Sequence, residues 1–310
     1  MTNKQTAFLF ALKTKICNFL KDGELRRVRH QGPPSNMIYN NGMTEIAPEL
    51  WDHIQCSTMQ QMIEHTGRYF TPISRALSHE EGRLLGTGSY CEFAGRNYLI
   101  TNEHVAREMQ NYPLTHQFFK NDHVIRIMQP FFSFRYPADV AMSRIEDAAW
   151  HVGGAHEGQA IPASRFCLKH QPAEHELLFF AGFSGERSGF IFDSLITPGT
   201  PYVTQECKVP DEIGDPMFHF ALFYRPALAH GVDDNSNSRG LPLPPGLSGS
   251  LVWDTKRVAC LQQSKQWKPE YAKVTGIVWG WPSSRDGCVV ATKVEHMRIG
   301  DIIEVYDKHA

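Results

Sequence analysis

Leu241–Val252 reads LPLPPGLSGSLV, a proline-stiffened approach to Ser248, which stands between Gly246 and Gly249. Glycines on both sides free the backbone to present the hydroxyl together with neighbouring N–H groups, the arrangement a serine nucleophile requires. Such a serine needs three further things from the chain: a base, a carboxylate to orient the base, and a rigid frame. A second G-x-S-G tetrad, Gly182-Phe183-Ser184-Gly185, follows a long apolar run and reads as the turn that opens a barrel, so Ser248 is the better candidate.

The bulk properties set bounds around that stretch. With 310 residues the chain has room for two domains and a large core. A hydrophobic fraction of 42%, a charged fraction of 21% and a formal net charge of -2 describe an ordinary globular protein, with no basic excess to imply a nucleic-acid partner. The seven cysteines (Cys17, Cys56, Cys91, Cys167, Cys207, Cys260, Cys288) are odd in number, scattered and free of C-x-x-C pairs. That pattern suits reduced thiols in a cytoplasmic protein better than a zinc site or a disulfide framework. The apolar run Ala7–Leu12 is broken by Lys13 and Lys15 and does not read as an export signal, and no apolar run is long enough for a membrane span.

Taken in order, the chain changes texture near residue 80. Phe8, Leu12, Ile16 and Phe19 recur at helical spacing before Gly23, and a second helix is expected from Pro48 to just before Gly67, carrying Leu50, Trp51, Ile54, Met59, Met62 and Ile63. Residues 1–80 thus read as a helical N-terminal extension, the natural place for a regulatory partner to act. Beyond it lie short β-branched and aromatic runs punctuated by Gly, Pro, Asn and Asp, the texture of an all-β core. Within Leu84–Val105 two strands meet at a turn around Gly95–Asn97, and His104 follows the second. His123–Met128 and Phe131–Phe134 read as strands, and Asp139 sits at the edge of the run Val140–Met142. After a linker-like stretch from Glu146 to Ala163, a second strand set covers Leu177–Phe183, Gly189–Ile196, Tyr202–Cys207, Met217–Tyr224, Leu251–Trp253, Val274–Trp279 and Cys288–Thr292, and a helix closes the chain over Val294–Tyr306.

Three segments taken together, GTGSYCEFAGRNYLITNEHV with His104, PADVAMSRI with Asp139 and PPGLSGSLV with Ser248, resemble the trypsin-like (chymotrypsin-fold) serine peptidases, especially their bacterial intracellular and HtrA-like branch. The order His, Asp, Ser is that family's, with separations of 139 − 104 = 35 and 248 − 139 = 109 positions. The resemblance covers residues 81–300. It implies two antiparallel six-stranded β-barrels, the first over residues 81–160 and the second over 161–310 together with the C-terminal helix. It also implies acyl transfer on protein or peptide substrates without a cofactor or metal: Ser248 attacks, His104 is general base, Asp139 fixes its tautomer, and the Gly246 and Ser248 N–H groups hold the oxyanion. An imidazole, with its reference pKa near ~6.5, suits the base role. Asp122 and Asp147 are rivals to Asp139 in more polar settings.

The departures from the family are informative. Val105 stands where secreted relatives carry a cysteine, so Cys91 lacks the disulfide partner it would have in them, and Leu247 stands where many of them carry an activation aspartate. The position that floors the primary pocket is Pro242 rather than an acid, which points to an apolar or small residue there. Leu243, Val278, Trp279 and Gly280 complete the expected substrate-binding set, and Asp286 is near enough in sequence to restore selectivity for a basic residue. HVGGAH and HQPAEH lack the H-E-x-x-H arrangement of a metallopeptidase, and Ser at position 250 does not fit the G-x-S-x-G turn of an α/β-hydrolase. The competing reading is a catalytically silent peptidase fold that binds peptide as a scaffold.

Overall fold

A computed structural model describes residues 28–30, 48–76, 82–121, 123–151, 155–191, 194–197, 199–226, 229–231, 241–282 and 287–309. Two curled, largely antiparallel sheets face each other, with a helix from the N-terminal part and the C-terminal helix packed where they meet. This is the two-barrel, chymotrypsin-like architecture expected from the sequence, but among the described residues the sheets hold eight and nine strands rather than six each, because short strands such as Ile161–Pro162, Val28–His30 and Ala229–Gly231 add to them.

In chain order, β1 (Val28–His30) is followed by α1 (Pro48–Thr66), β2 (Phe70–Ala76), β3 (Gly82–Phe93), β4 (Arg96–Thr101), α2 (Glu103–Ala106), β5 (Leu114–His116), β6 (Ile125–Arg126), β7 (Phe131–Phe134), β8 (Val140–Ile145), α3 (Asp147–His151) and β9 (Ile161–Pro162). The second half adds β10 (Leu178–Phe183), β11 (Gly189–Ile191), β12 (Ser194–Ile196), β13 (Gly199–Thr204), β14 (Glu206–Cys207), β15 (His219–Phe223), β16 (Ala229–Gly231), β17 (Leu251–Asp254), α4 (Arg257–Gln262), β18 (Lys273–Gly280), β19 (Cys288–Lys293) and α5 (Ile299–His309). The first sheet runs β6-β5-β2-β3-β4-β8-β7, with β9 on β3; the second runs β14-β15-β19-β18-β17-β10-β13-β1-β16.

Side-chain alternation explains how these sheets form. On β10, Leu178 and Phe180 face the interior of the second sheet, whereas Phe179 and Ala181 face the core shared by both halves, so the whole strand is buried and apolar. β4 divides in the same way, with Leu99 in the first-sheet core and Tyr98 and Ile100 in the shared one. That shared core also receives Trp51, Ile54, Met59, Met62 and Ile63 of α1 and Ile302 and Tyr306 of α5. Burying residues of this kind contributes about 1.5–3 kcal/mol each, so both helices are integral to the fold.

Several boundaries differ from the sequence expectation. The helix from Pro48 to Thr66 stands as expected, but Phe70–Ala76 is a strand of the first sheet, so the helical reading does not extend to residue 80. Ile161–Pro162, assigned from sequence to the second barrel, pairs with Cys91–Glu92 in the first sheet. The turn between β3 and β4 is centred on Ala94 and Gly95, both at positive φ (51° and 71°), and the strand expected over Gly189–Ile196 is instead two antiparallel strands, β11 (Gly189–Ile191) paired with β12 (Ser194–Ile196). The helix expected around Phe8–Phe19 lies outside the described residues. Among the described residues no helix is long and apolar enough to cross a membrane.

Candidate active site

His104 lies in α2, the single helical turn that follows β4, and Asp139 immediately precedes β8, the neighbour of β4 in the sheet. Strand pairing thus brings together two residues 35 positions apart. The Asp139 carboxylate engages His104 twice: Oδ1 accepts its backbone N–H at 3.1 Å, and Oδ2 lies 2.7 Å from Nδ1. A carboxylate at Nδ1 fixes the Nδ1–H tautomer and leaves the Nε2 lone pair as the base. Asp139 is buried, whereas 37% of the His104 side chain is exposed, so the ring can meet a substrate. Asp139 adopts φ +47°, a left-handed conformation that aspartate tolerates better than most residues, and its carbonyl accepts the Asn102 Nδ2–H at 2.7 Å.

Ser248 sits on the turn before β17, 5% exposed. Both flanking glycines are required by space. Gly246 has φ +100°, and a methyl there would lie 2.5 Å from the Phe183 carbonyl; Gly249 has φ +92°, and a methyl there would lie 1.8 Å from the Thr87 carbonyl. The peptide planes around Ser248 are pinned in turn. Gly185 N–H donates to the Pro245 carbonyl at 3.0 Å, and Ser250 N–H to the Leu247 carbonyl at 3.0 Å. Because C=O and N–H point in opposite directions in a trans peptide, these two bonds aim the Gly246 and Ser248 N–H groups the other way. Neither of those N–H groups has an acceptor among the described residues, so both are available as donors to an oxyanion.

The nucleophile turn is seated across the barrel interface by Thr87, a residue that the sequence pattern did not single out. Its N–H donates to the Ser248 carbonyl at 2.7 Å, and its hydroxyl donates to the Gly246 carbonyl at 2.9 Å while accepting Phe183 N–H at 3.0 Å. One residue earlier, a methyl on Gly86 would lie 2.8 Å from Val105 Cγ2 and 3.0 Å from the Ser248 carbonyl, which places the neighbour of His104 and the candidate nucleophile around the same glycine. The Ser248 hydroxyl donates to the Trp279 carbonyl at 3.4 Å, and no hydrogen bond among the described residues joins it to the imidazole. Asn102, Thr87 and the second tetrad are therefore supports of the candidate site that only the fold reveals. Ser184 and Gly185 hold the Leu243 and Pro245 carbonyls, and the Glu186 carboxylate accepts Leu243 N–H at 2.9 Å.

The expected substrate-binding residues separate into groups. Pro242 is buried, with its carbonyl accepting the Tyr224 hydroxyl at 2.7 Å, and Leu243 is exposed. Val278 belongs to the second-sheet core; its N–H donates to the Ser250 carbonyl and its carbonyl accepts Gly249 N–H, each at 2.8 Å, so it braces the nucleophile turn and presents no side chain to a substrate. Trp279 is half-buried, and Gly280 faces open space. Asp286 lies outside the described residues. Leu247 is packed into the second-sheet core, away from any ionic role. A cleft of 480 Å³ lined by Arg83, Leu84, Glu186, Leu243 and Gly246 opens beside the candidate oxyanion site. Among the described residues no group of three or more His, Cys, Asp or Glu side chains converges as a metal would need.

No protein-family model and no curated protein matches the chain. Among solved structures it is similar to the Rv3671c protease of M. tuberculosis in its active form (14% identity, 88% of this chain and 93% of that one, TM-score 0.40). It is also similar to a scabies mite inactivated protease paralogue (11% identity, 80% and 98%, TM-score 0.44). A third is a structure from work on the Sesbania mosaic virus VPg protein (11% identity, 73% and 92%, TM-score 0.40). At these identities and scores, the functional reading rests on the geometry of this chain.

Proposed function

We propose that the chain is a serine endopeptidase that cleaves protein or peptide substrates through an acyl-enzyme on Ser248. The observation that carries this reading is the 2.7 Å His104 Nδ1–Asp139 Oδ2 contact, at the interface where a glycine-framed serine has two N–H groups without an acceptor among the described residues. Ser248 Oγ attacks the scissile carbonyl while His104 Nε2 takes its proton, and the imidazolium is stabilised by Asp139. The oxyanion rests on the Gly246 and Ser248 N–H groups, the amine leaves with the proton held by His104, and water then releases the acyl group by the same route. Each oxyanion donor is worth about 10²- to 10³-fold in rate. Buried Pro242 and the apolar surroundings of Leu241 favour an apolar or small residue at the primary position.

The cytoplasmic, HtrA-like setting is part of this proposal, and the thiols of Cys56, Cys91, Cys167 and Cys260, each outside any disulfide among the described residues, support it. A regulatory partner acting on the N-terminal extension is confined by the same proposal to the segment before Pro48, since α1 is built into the core.

One observation favours a second reading, a silent peptide-binding scaffold: the Ser248 hydroxyl is directed at the Trp279 carbonyl rather than at His104. Incubation with a random peptide library and mass spectrometry of the products tests the choice. The peptidase yields internal cleavages that disappear in Ser248→Ala and in His104→Ala. Recovery of an intact library from folded wild-type protein supports the scaffold.

A further inference from the structure

His219, outside the candidate triad, opens β15 in the second sheet and is 1% exposed. Both its ring nitrogens are engaged: Nδ1 accepts the Asp215 backbone N–H at 2.9 Å, and Nε2 donates to the Pro137 carbonyl at 2.8 Å. A ring that must accept at Nδ1 and donate at Nε2 is fixed as the neutral Nε2–H tautomer. Its centroid lies 5.6 Å from that of Tyr136 and 5.1 Å from that of Trp279, the residue whose carbonyl takes the Ser248 hydroxyl.

The Pro137 bond is the first of three on consecutive carbonyls. Thr292 Oγ1 donates to the Ala138 carbonyl at 2.8 Å, and Asn102 Nδ2 to that of Asp139 at 2.7 Å. His219 and Thr292 face each other across β15 and β19, so two of the three clamps come from the sheet that does not carry Asp139. The segment they hold ends in a non-glycine residue at φ +47°, a conformation that persists where the surroundings over-determine it.

We propose that His219 is a positioning residue for the triad: its neutral imidazole, tied to Asp215 and Pro137, sets the Asp139 loop from the second barrel and so aims the carboxylate at His104. This rests on the triad reading above. Protonation at Nδ1 would set one N–H against another, so the clamp needs the neutral ring. Burial holds the His219 pKa below the ordinary imidazole value; the Pro137 carbonyl and Asp215 act the other way, and His296 and Lys293 reinforce the lowering. Tyr136 is the titratable side chain of the Asp139 loop that faces the ring.

Two substitutions separate the functions of the ring. His219→Gln keeps an N–H within reach of the Pro137 carbonyl and gives up the acceptor for Asp215, whereas His219→Asn keeps that acceptor and gives up the reach to Pro137. The first readout is the far-downfield proton resonance of His104 Nδ1–H, which reports the imidazole–carboxylate bond without turnover. The second is the rate of Ser248 labelling by a fluorophosphonate across pH. The expected result is that His219→Asn broadens or loses the resonance and labels about 10- to 10²-fold more slowly, with kcat falling rather than KM rising on a peptide substrate, while His219→Gln, which keeps the Pro137 bond and gives up only the Asp215 one, shows a distinctly smaller loss. Wild-type behaviour of His219→Asn overturns the proposal, and so does equal loss in both variants, which would mark His219 as core packing. If His219→Asn does not fold, acidification of the wild type decides: the His104 resonance must weaken in step with protonation of His219, and independence of the two overturns the claim. A wild type that shows the resonance but never labels refutes the peptidase reading alone, and the resonance comparison still decides the role of His219. Absence of the resonance from wild type overturns both.

Discussion

Thr87→Val replaces a hydroxyl by a methyl of nearly the same shape, so its effect isolates the hydrogen bonds that seat the nucleophile turn. Thr87 is fully buried, and its hydroxyl serves the Gly246 carbonyl and the Phe183 N–H at once. Leaving one buried polar group unpaired costs about 1–3 kcal/mol. Gly246 is half-buried and regains some solvent, so the pair is expected to cost about 2–4 kcal/mol in total. Thr87→Ser keeps both bonds and removes one methyl, at a cost of about 1 kcal/mol. Urea unfolding, with the slope unchanged between variants, measures both. The same loss of the Thr87 hydroxyl frees the Gly246 carbonyl, which lies between the two candidate oxyanion donors, and so loosens the turn that carries them, which slows fluorophosphonate labelling by about 10²-fold while Thr87→Ser labels normally. A valine variant as stable and as fast as the serine variant would refute the claim that this hydroxyl holds the turn.

Further predictions follow from the same geometry. Gly249→Ala puts a methyl 1.8 Å from the Thr87 carbonyl at φ +92°; with clash and strain together it should lower stability by about 3–5 kcal/mol, and an unchanged thermal midpoint would contradict the described turn. Asp139→Asn retains an oxygen for the His104 N–H but offers an amide to Nδ1, favouring the wrong tautomer; kcat should fall about 10⁴-fold with the fold intact, and a loss under tenfold would remove Asp139 from the triad. His116 is fully sequestered beside Tyr90, and burial, aided by His156, lowers its pKa to about 4. A depressed imidazole pKa stabilises the fold above the unfolded value of ~6.5, and that stability is lost as pH falls toward the folded value. Stability should therefore drop by about 3 kcal/mol between neutral pH and pH ~4 through this residue, and His116→Phe should flatten that limb of the profile measured by urea unfolding.

Some of this was legible in the sequence because it is local. The turn that carries Ser248 could be read because Gly246 and Gly249 frame it, and both adopt positive φ, and α1 because Pro48 and Gly67 mark its ends. His104 and Asp139 followed from chain order, and the structure joins them through the pairing of β4 with β8. What escaped depends on approaches between distant segments. Thr87 meets Gly246 across 159 positions and His219 meets Pro137 across 82, and no local pattern encodes either meeting. β2 escaped for a different reason: Pro72 and Ser74 interrupt its apolar character, and its strand state is set by partners β3 and β5. The tetrad Gly182–Gly185 was rightly read as a turn, but its role in holding the Leu243 and Pro245 carbonyls appears only once β10 lies beside the nucleophile loop. Val278 misled because its strand is correct while its side chain points into the core.

The central claim is that Ser248 is a nucleophile activated by His104. Intact-mass spectrometry after fluorophosphonate treatment tests it most directly. The account predicts a single adduct on wild-type protein that maps to Ser248, forms far more slowly in His104→Ala and is absent from Ser248→Ala. Folded wild-type protein that takes up no adduct, or takes it up on another serine, would contradict it.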